Sequence, residues 1–575
     1  MKRRKAKTKS HPAAERPDIT PVAAAAGLAA VLVAVVVLYA RTANFPFIQG
    51  DDSFMVSQHP VIKEGLTGHG LGWAFTNNLY GIWMPLTAIT HMADVSLFGT
   101  WAGGHHLVNV LWHLLAVGAF YAALRVLTVA RGVSLAAAAL FAVHPLAVED
   151  VAWVSSRKDL VCGAFFALTL LAHGWYAQRP GWLRYGAVTV AGLLALAGKT
   201  SAAPLPAVLL LLDAWPLGRF HVEWGDRQLA RRALRLLAEK IPLLLAGIAV
   251  SVVTWGGQHA LGAIREGGGV PPSTERVAGV GVNYLHYLTG YFWPFGLCPQ
   301  HVFPPFVLWK IAAAWCIVAA LTLGAIAFRR RWPWVAVGWL WFLAALVPVV
   351  GFLPYGPVPY ADRYMYIPGM GLALAVAWTL VSLPLGRIPR VAACAAPVLM
   401  LLAVSWAQVG VWRDMWSMYE RKMKVYPNDA PTFARAAQWL AEQGDLERAE
   451  KCDREAVRLA PGVDEYAYNL GTDLVARDPE EAAKWFEKAT GLNPKNGNAW
   501  SNFGDALLRL NRPQDAVAPL NEAVRLQPKN PVPLINLGAA LQRIGKRDEA
   551  RAVLEKALAL DPANAAARRN MQSLQ

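Results

Sequence analysis

The chain has 575 residues, of which 55% are hydrophobic and only 16% charged, with 55 Lys and Arg set against 39 Asp and Glu. That balance excludes a soluble multidomain enzyme and describes a polytopic membrane protein. A net charge of +16 would ordinarily raise nucleic acid as a partner, but from Arg413 onward 24 basic residues meet 23 acidic ones, so the excess belongs to the apolar part and argues against a nucleic-acid partner. Cys162, Cys298, Cys316, Cys394 and Cys452 are scattered singly, which leaves no disulfide framework and no CxxC metal motif.

Residues 1–20 form a basic tail, and the apolar run from Pro21 to Ala40 is long enough, at about twenty residues, to span a bilayer. The run exceeds the core of a signal peptide and others follow it, so a retained first helix is expected. Further runs near 105–127, 132–148, 159–177, 182–198, 201–217, 241–257, 307–327, 332–354, 364–384 and 391–411 bring the expected number of spans within 21–411 to about eleven. If the tail is cytoplasmic, the basic loops at Arg125/Arg131, Arg179/Arg184, Arg219 to Lys240, Arg329 to Arg331 and Arg387/Arg390 all fall on its side, as the positive-inside rule requires. The opposite side then receives the loop 41–104 with Asp51 and Asp52, the segment Glu149 to Asp159, Lys199-Thr200, the loop 258–306, Asp362-Arg363 and everything after residue 411. Counting the apolar stretch Val277 to Leu297 as a span would reverse Arg329 to Arg331, so a re-entrant or interfacial helix is expected there.

Residues 412–426 are read as a linker helix and 427–575 as about four helix-pair repeats. Pro427, Pro461, Pro494, Pro528 and Pro562 recur at intervals of 33 or 34, the tetratricopeptide length. Ala449, Ala482, Ala516 and Ala550 precede the later prolines by 12 residues, and the patterns Asn469-Leu470-Gly471, Asn502-Phe503-Gly504 and Asn536-Leu537-Gly538 recur with them. Four such units suffice for an α-solenoid with its own core. The expected fold is therefore all-α, a polytopic helical membrane domain followed by a repeat solenoid.

Charged residues beside membrane spans are costly and mark function when they gather on one face. Asp51 and Asp52 could supply a general base, hold a divalent cation through hard oxygen ligands, or simply cap a helix. His91 and Asp94, three apart on an expected helix, share a face near His105 and His106; metal ligation and interfacial anchoring both suit them. His144-Pro145, Glu149, Arg157, Lys158 and Asp159 follow, then Lys199 and the pair Asp362-Arg363. Cations at a membrane surface suit a phosphate or pyrophosphate head group, or snorkel to lipid.

The stretches GDDSFMVSQHPVIKEGL (50–66), MPLTAITHMADVSLFG (84–99), GGHHLVNVLWHLL (103–115), HPLAVEDVAWVSSRKDL (144–160), EKIPLLL (239–245) and ADRYMYIPGMG (361–371) resemble the O-mannosyltransferase family with N-terminal membrane spans and C-terminal tetratricopeptide repeats, and its bacterial relatives. The resemblance implies the C-type glycosyltransferase fold and a polyprenyl-phosphate-linked sugar as donor. It implies a catalytic carboxylate at Asp51 or Asp52 and lipid-phosphate binding by Arg157, Lys158, Lys199 and Arg363, with His91, Asp94, His106, Glu149, Asp159, Asp362 and Tyr366 in support. Met84 and Lys199-Thr200 depart from the family pattern, which bears on donor or acceptor preference. Displacement at an anomeric carbon needs a base near the acceptor oxygen and cations near the departing phosphate, and no cofactor beyond, at most, a divalent cation. No P-loop or dinucleotide fingerprint offers a site for a nucleotide-sugar donor.

Asn469, Asn502 and Asn536 occupy one repeat position, and a ladder of amides along the groove suits a peptide backbone, hence a protein acceptor; Arg435 interrupts it in the first unit. The reading that follows is a glycosyltransferase acting on protein hydroxyls outside the cytoplasmic membrane. Two alternatives stay open: a non-catalytic membrane-anchored scaffold for envelope proteins, and a transferase acting on surface glycan or lipid. The Ala- and Arg-rich composition and the lack of an ER-retention tail set the expectation of a bacterial inner membrane.

Overall fold

The computed structural model describes residues 18–220, 229–262, 272–352 and 359–574. The basic tail up to residue 17, residues 221–228 of the expected basic loop and residues 263–271 of the expected outer loop lie outside the described residues. Among the described residues the secondary structure is helical apart from one isolated bridge between Leu79 and Ile82. Two compact units divide the chain, Met1–Arg421 and Lys422–Gln575.

The first unit opens with α1 (Pro21–Tyr39), started by Pro21 and capped by Thr20, whose hydroxyl accepts from the Ala23 amide at 3.2 Å. The outer loop carries α2 (Gly68–Thr76) and α3 (Pro85–Phe98). Next come α4 (Ala102–Thr128), α5 (Arg131–Ala142), the short α6 (Val148–Ala152), α7 (Arg157–Gln178), α8 (Trp182–Gly198), α9 (Leu205–Ala214) and the basic, amphipathic α10 (Leu229–Ala238). The unit is completed by α11 (Ile241–Ala260), α12 (Ser273–Ala278), α13 (Val280–Phe292), α14 (Leu308–Ala327), α15 (Pro333–Leu346), α16 (Tyr366–Ser382) and α17 (Arg387–Val409), and α18 (Met415–Val425) follows.

Each of the eleven apolar runs contains a helix, but among the described residues seven helical segments are long and apolar enough to cross a bilayer, or eight if the bent pair Arg131–Ala142 and Pro145–Ala152 counts as one span. The expectation of eleven spans by length alone is corrected accordingly. The shortfall lies in α8, α9 and α15, apolar helices of no more than 17 residues: α8 fills its run and ends at Gly198, where Lys199 is extended, α9 starts only after Pro204, and α15 stops at Leu346. The third run is the bent pair, turned by 53° at the His144-Pro145 break. Helix α13, within the stretch expected to be re-entrant, has 13 residues, too few to span.

The short α8 nonetheless runs between the same two ends of the unit as the long α11. At one end Asp18 accepts from the backbone of Arg131 and Gly132, and Tyr176, Arg219 and Lys240 converge on Asp213 and Glu239. At the other, Thr87 donates to the Gly198 carbonyl at 2.9 Å, Gln258 to the Tyr80 carbonyl at 3.0 Å and Ser405 to the Val143 carbonyl at 2.8 Å. Helix α8, with Tyr185 bonded to the Glu239 carbonyl near its start and Gly198 at its end, and α11, which follows Lys240 and carries Gln258 near its end, each reach both groups. Large apolar side chains on α11, α14 and α17, such as Leu245, Val252, Leu323 and Leu399, point outward, which suits a lipid environment.

The second unit pairs α19 (Ala430–Glu442) with α20 (Leu446–Leu459), α21 (Asp464–Leu474) with α22 (Pro479–Leu492), α23 (Gly497–Arg509) with α24 (Pro513–Leu526) and α25 (Pro531–Arg543) with α26 (Arg547–Leu560), and α27 (Ala565–Gln572) caps the stack. The recurring glycine has a packing cause. A Cβ on Gly471, Gly504 or Gly538 would come within 2.8, 2.3 and 2.6 Å of Phe486, Leu520 and Leu554, the buried large residue of each following helix. Ala449, Ala482, Ala516 and Ala550 are fully buried at the second close approach. Introducing Val at Gly504 is expected to cost the repeat unit about 1–3 kcal/mol through overpacking, measured by urea unfolding of residues 422–575 followed by circular dichroism.

Candidate active site

The His144-Pro145 break builds the site. Proline cannot continue the ladder of α5, and His144 takes over the turn: its Nδ1 accepts from the Leu146 amide at 3.2 Å while its Nε2 donates to the Tyr291 carbonyl at 3.0 Å. The chain then crosses this end of the unit through a 3₁₀ turn, α6 and a second 3₁₀ turn before α7 begins at Arg157. Glu149, Asp150, Ser155, Arg157, Lys158 and Asp159 are thereby gathered within a dozen residues, all buried.

The paired aspartates of the first outer loop are not equivalent. Asp52 is fully buried and accepts from the Ile48 amide at 2.8 Å, the Ser155 amide at 2.9 Å and the Ser155 hydroxyl. Burial pushes its carboxyl up to about 6 despite these three donors. Asp51, half-buried, receives no hydrogen bond or ion pair from any described residue and lies within electrostatic range of Lys158 and Tyr80. Asp52 therefore ties the loop to the 144–160 segment, and Asp51 is the carboxylate left available.

Arg157 is fully enclosed. Its Nε donates to Asn109 Oδ1 at 2.7 Å, Nη2 to the His105 carbonyl at 2.6 Å, and Nη1 to Asp94, which forms the ion pair. With its fork engaged on three sides and its side chain buried, Arg157 joins α3, α4 and α7. Burial raises the Asp94 carboxyl, and Arg157 only partly offsets it. Burial also holds His91 well below the ordinary imidazole value, with Arg157 adding to the effect. His106 Nε2 lies 3.5 Å from the Pro46 carbonyl, and its ring meets Phe45 edge-on.

Three other cations gather beside this group. Lys158 Nζ donates to the Ser155 carbonyl at 2.5 Å and sits over the Trp153 ring. Lys199 is clamped by both Asp159 oxygens at 2.7 and 2.8 Å, and Arg363 bonds Glu149 at 2.5 Å while lying over Trp153 and Tyr364. At 18% side-chain exposure Arg363 is the most open of the expected phosphate-binding cations. Asp362 pairs with His301 at 2.8 Å; burial opposes the charged imidazole, but the carboxylate outweighs it and holds His301 at about 10. Tyr366 shares a hydrogen bond of 2.7 Å with His113 Nδ1.

The structure thus brings Asp51, Asp52, Asp94, Glu149, Arg157, Lys158, Asp159, Lys199, Asp362 and Arg363 to one end of the first unit. Asn469, Asn502 and Asn536 lie in the second unit, half-buried on α21, α23 and α25, and the Asn502 amide approaches the Tyr468 hydroxyl at 3.4 Å. Sequence reasoning missed Asp150, whose two carboxylate oxygens are buried without a hydrogen bond, and Asn109, His113 and His301. A signal for Asn109 and His113 was present: with His105 they recur every four residues, a polar stripe on an otherwise apolar helix.

Helical spans, a carboxylate-bearing loop after the first of them and a repeat solenoid define a polytopic membrane protein of tetratricopeptide type. Tetratricopeptide-repeat patterns match residues 472–531 and 531–564. Over its length the chain is similar to human protein O-mannosyl-transferase TMTC1 (25% identity over 517 residues, 80% of this chain and 58% of that protein) and human protein O-mannosyl-transferase TMTC4 (25% over 483 residues, 71% and 63%). The chain therefore spans about three-fifths of the length of these curated relatives. Among solved structures, the repeat region is similar to YrrB, a TPR protein with an unusual peptide-binding site (26% identity, 27% of this chain and 81% of that chain, TM-score 0.26).

Removing one partner of the buried Arg157 pair leaves an uncompensated charge, so Asp94→Asn is expected to destabilise the first unit by about 3–5 kcal/mol, and Arg157→Lys, which keeps the charge but cannot reach three acceptors at once, by about 1–3 kcal/mol. Thermal unfolding in detergent micelles reads this as a lower Tm. Because the folded state raises the Asp52 carboxyl above its unfolded value, the stability it contributes is full below about pH 4 and lost as pH rises through about 6. Comparison of wild type with Asp52→Asn between pH 4.5 and 7.5 is expected to show a weaker pH dependence in the variant.

Proposed function

We propose that the chain is a membrane glycosyltransferase that moves a sugar, mannose by analogy with its relatives, from a polyprenyl phosphate to a hydroxyl group on protein Ser or Thr. The observation that carries this reading is the placement of Asp51, a carboxylate without a described partner, within electrostatic range of Lys158 in a mouth that also holds Lys199 and Arg363. Asp51 takes the proton of the acceptor hydroxyl as its oxygen attacks the anomeric carbon. The bond from that carbon to the phosphate oxygen breaks, and the lipid phosphate leaves with the electron pair. Lys158 and Arg363 stabilise the charge that develops on it; both are held in place, Lys158 by the Ser155 carbonyl and Arg363 by Glu149, so little reorganisation is needed when the charge appears. One displacement inverts the anomeric centre.

Eleven crossings, including the short α8, α9 and α15, would put this mouth and the repeats on the side opposite the basic N-terminal tail. The similarity to O-mannosyl-transferases supports the sugar and acceptor class, and the repeated Asn469, Asn502 and Asn536 support a peptide in the solenoid groove.

In membranes supplied with polyprenyl-phosphate mannose and a Ser/Thr-rich acceptor, Asp51→Asn is expected to lower transfer by about 10²–10⁴-fold at unchanged folded yield. Asp52→Asn is expected to lower the folded yield itself, because the amide nitrogen would confront a backbone or hydroxyl donor. Full transfer by Asp51→Asn would refute the assignment.

A further inference from the structure

Helices α3 and α4 meet at the tight turn around Gly99, and three side chains face one another behind it: His91, Asp94 and His105. All three are buried, and one ligand atom from each lies within 4.8 Å of the others. Both ring nitrogens of His91 lack a hydrogen-bond partner, as does Nδ1 of His105. A neutral imidazole buried with neither nitrogen satisfied costs free energy that a core residue of the same size would not. The cost is explained if a ligand is what completes the group.

The geometry points to a late first-row divalent cation, zinc in the first instance, and we propose that His91, Asp94 and His105 form its binding site. His105 Nε2 faces the Gly99 carbonyl at 3.2 Å, which fixes its proton there and leaves the Nδ1 lone pair turned toward Asp94. A second ring nitrogen bonded to a backbone carbonyl is the usual orienting contact of a metal-bound histidine. His105 Nδ1 lies 3.5 Å from Asp94 Oδ2, close to the separation of about 3.3–3.5 Å between two ligands held about 2.0–2.2 Å from one tetrahedral ion. Arg157 already engages Asp94, but a carboxylate has about four lone-pair sites and serves a guanidinium and an ion together. Two imidazoles and a carboxylate select zinc or its neighbours over magnesium or calcium, which take oxygen ligands.

The second group, His286, His301 and Asp362, differs in kind, because His301 and Asp362 satisfy each other at 2.8 Å and His286 stacks on Tyr360. The ion at His91 would instead fasten α3 to the first turn of α4 and brace the carboxylate that holds Arg157. Its role is to hold the mouth together, a function separate from the sugar transfer proposed above.

The full-length protein in detergent, stripped with EDTA and reloaded with Zn²⁺, is expected to retain one zinc per chain after desalting, by elemental analysis, and to gain Tm. Loading with Co²⁺ is expected to give tetrahedral d–d absorption without a thiolate charge-transfer band, a readout on the wild-type chain that needs no variant. His91→Gln and His105→Gln are expected to weaken Zn²⁺ binding more than about 100-fold, since even outer-shell losses cost 10–100-fold, whereas His301→Gln binds as wild type. Absence of stoichiometric zinc on the wild-type protein overturns the proposal. So does a cobalt spectrum with a thiolate band, or a loss of zinc in His301→Gln but not in the His91 and His105 variants.

Discussion

A charge buried beside apolar helices must be met by an opposite charge or by a full set of hydrogen bonds, since the cost of leaving it alone exceeds the margin of stability of the whole domain. The segment from His144 to Asp159 concentrates that demand. It carries Glu149 and Asp150 before the start of α7 and Arg157, Lys158 and Asp159 within its first turn, and three of these five draw in partners from elsewhere: Arg363 to Glu149, Asp94 and Asn109 to Arg157, Lys199 to Asp159. Those pairings are what bring α3, α4, α7, α8 and α16 to one end. Asp52 completes the set by locking the first outer loop onto Ser155.

Function and stability are therefore divided among neighbours of the same chemical type. Of two adjacent aspartates, one is consumed by three donors and the other is left toward the mouth; of four cations, Arg157 is wholly committed to protein acceptors while Arg363 keeps an open flank. On the proposed function, a phosphate entering this end would meet Lys199 and Arg363 already fixed by carboxylate partners. Such pre-arrangement suits a reaction in which negative charge moves onto a leaving group.

Much of this was legible in the sequence, and the parts that were not share a cause. Composition and run length placed every apolar helix, and the 33- or 34-residue interval of prolines placed every repeat, because both are local or periodic signals. The break in the third apolar run was written in His144-Pro145 but reads as part of a span when only apolarity is counted. The difference between Asp51 and Asp52 could not be read, since it depends on Ser155, about a hundred positions away. The enclosure of Arg157 could not be read for the same reason: its acceptors Asp94, His105 and Asn109 come from two other helices, and a cation at a membrane edge looks alike whether its partner is a lipid phosphate or a buried carboxylate.

The account rests on the claim that the lipid phosphate is received at this end of the helical unit, against the 144–160 and 361–371 segments. A photoreactive polyprenyl phosphate bound to the full-length protein in membranes, followed by mass-spectrometric mapping of the labelled peptides, tests it most directly. Labelling concentrated in those two segments, and competed by unlabelled polyprenyl-phosphate mannose, is the predicted result. Competable labelling confined to the opposite end, around Tyr176, Asp213 and Lys240, would contradict it.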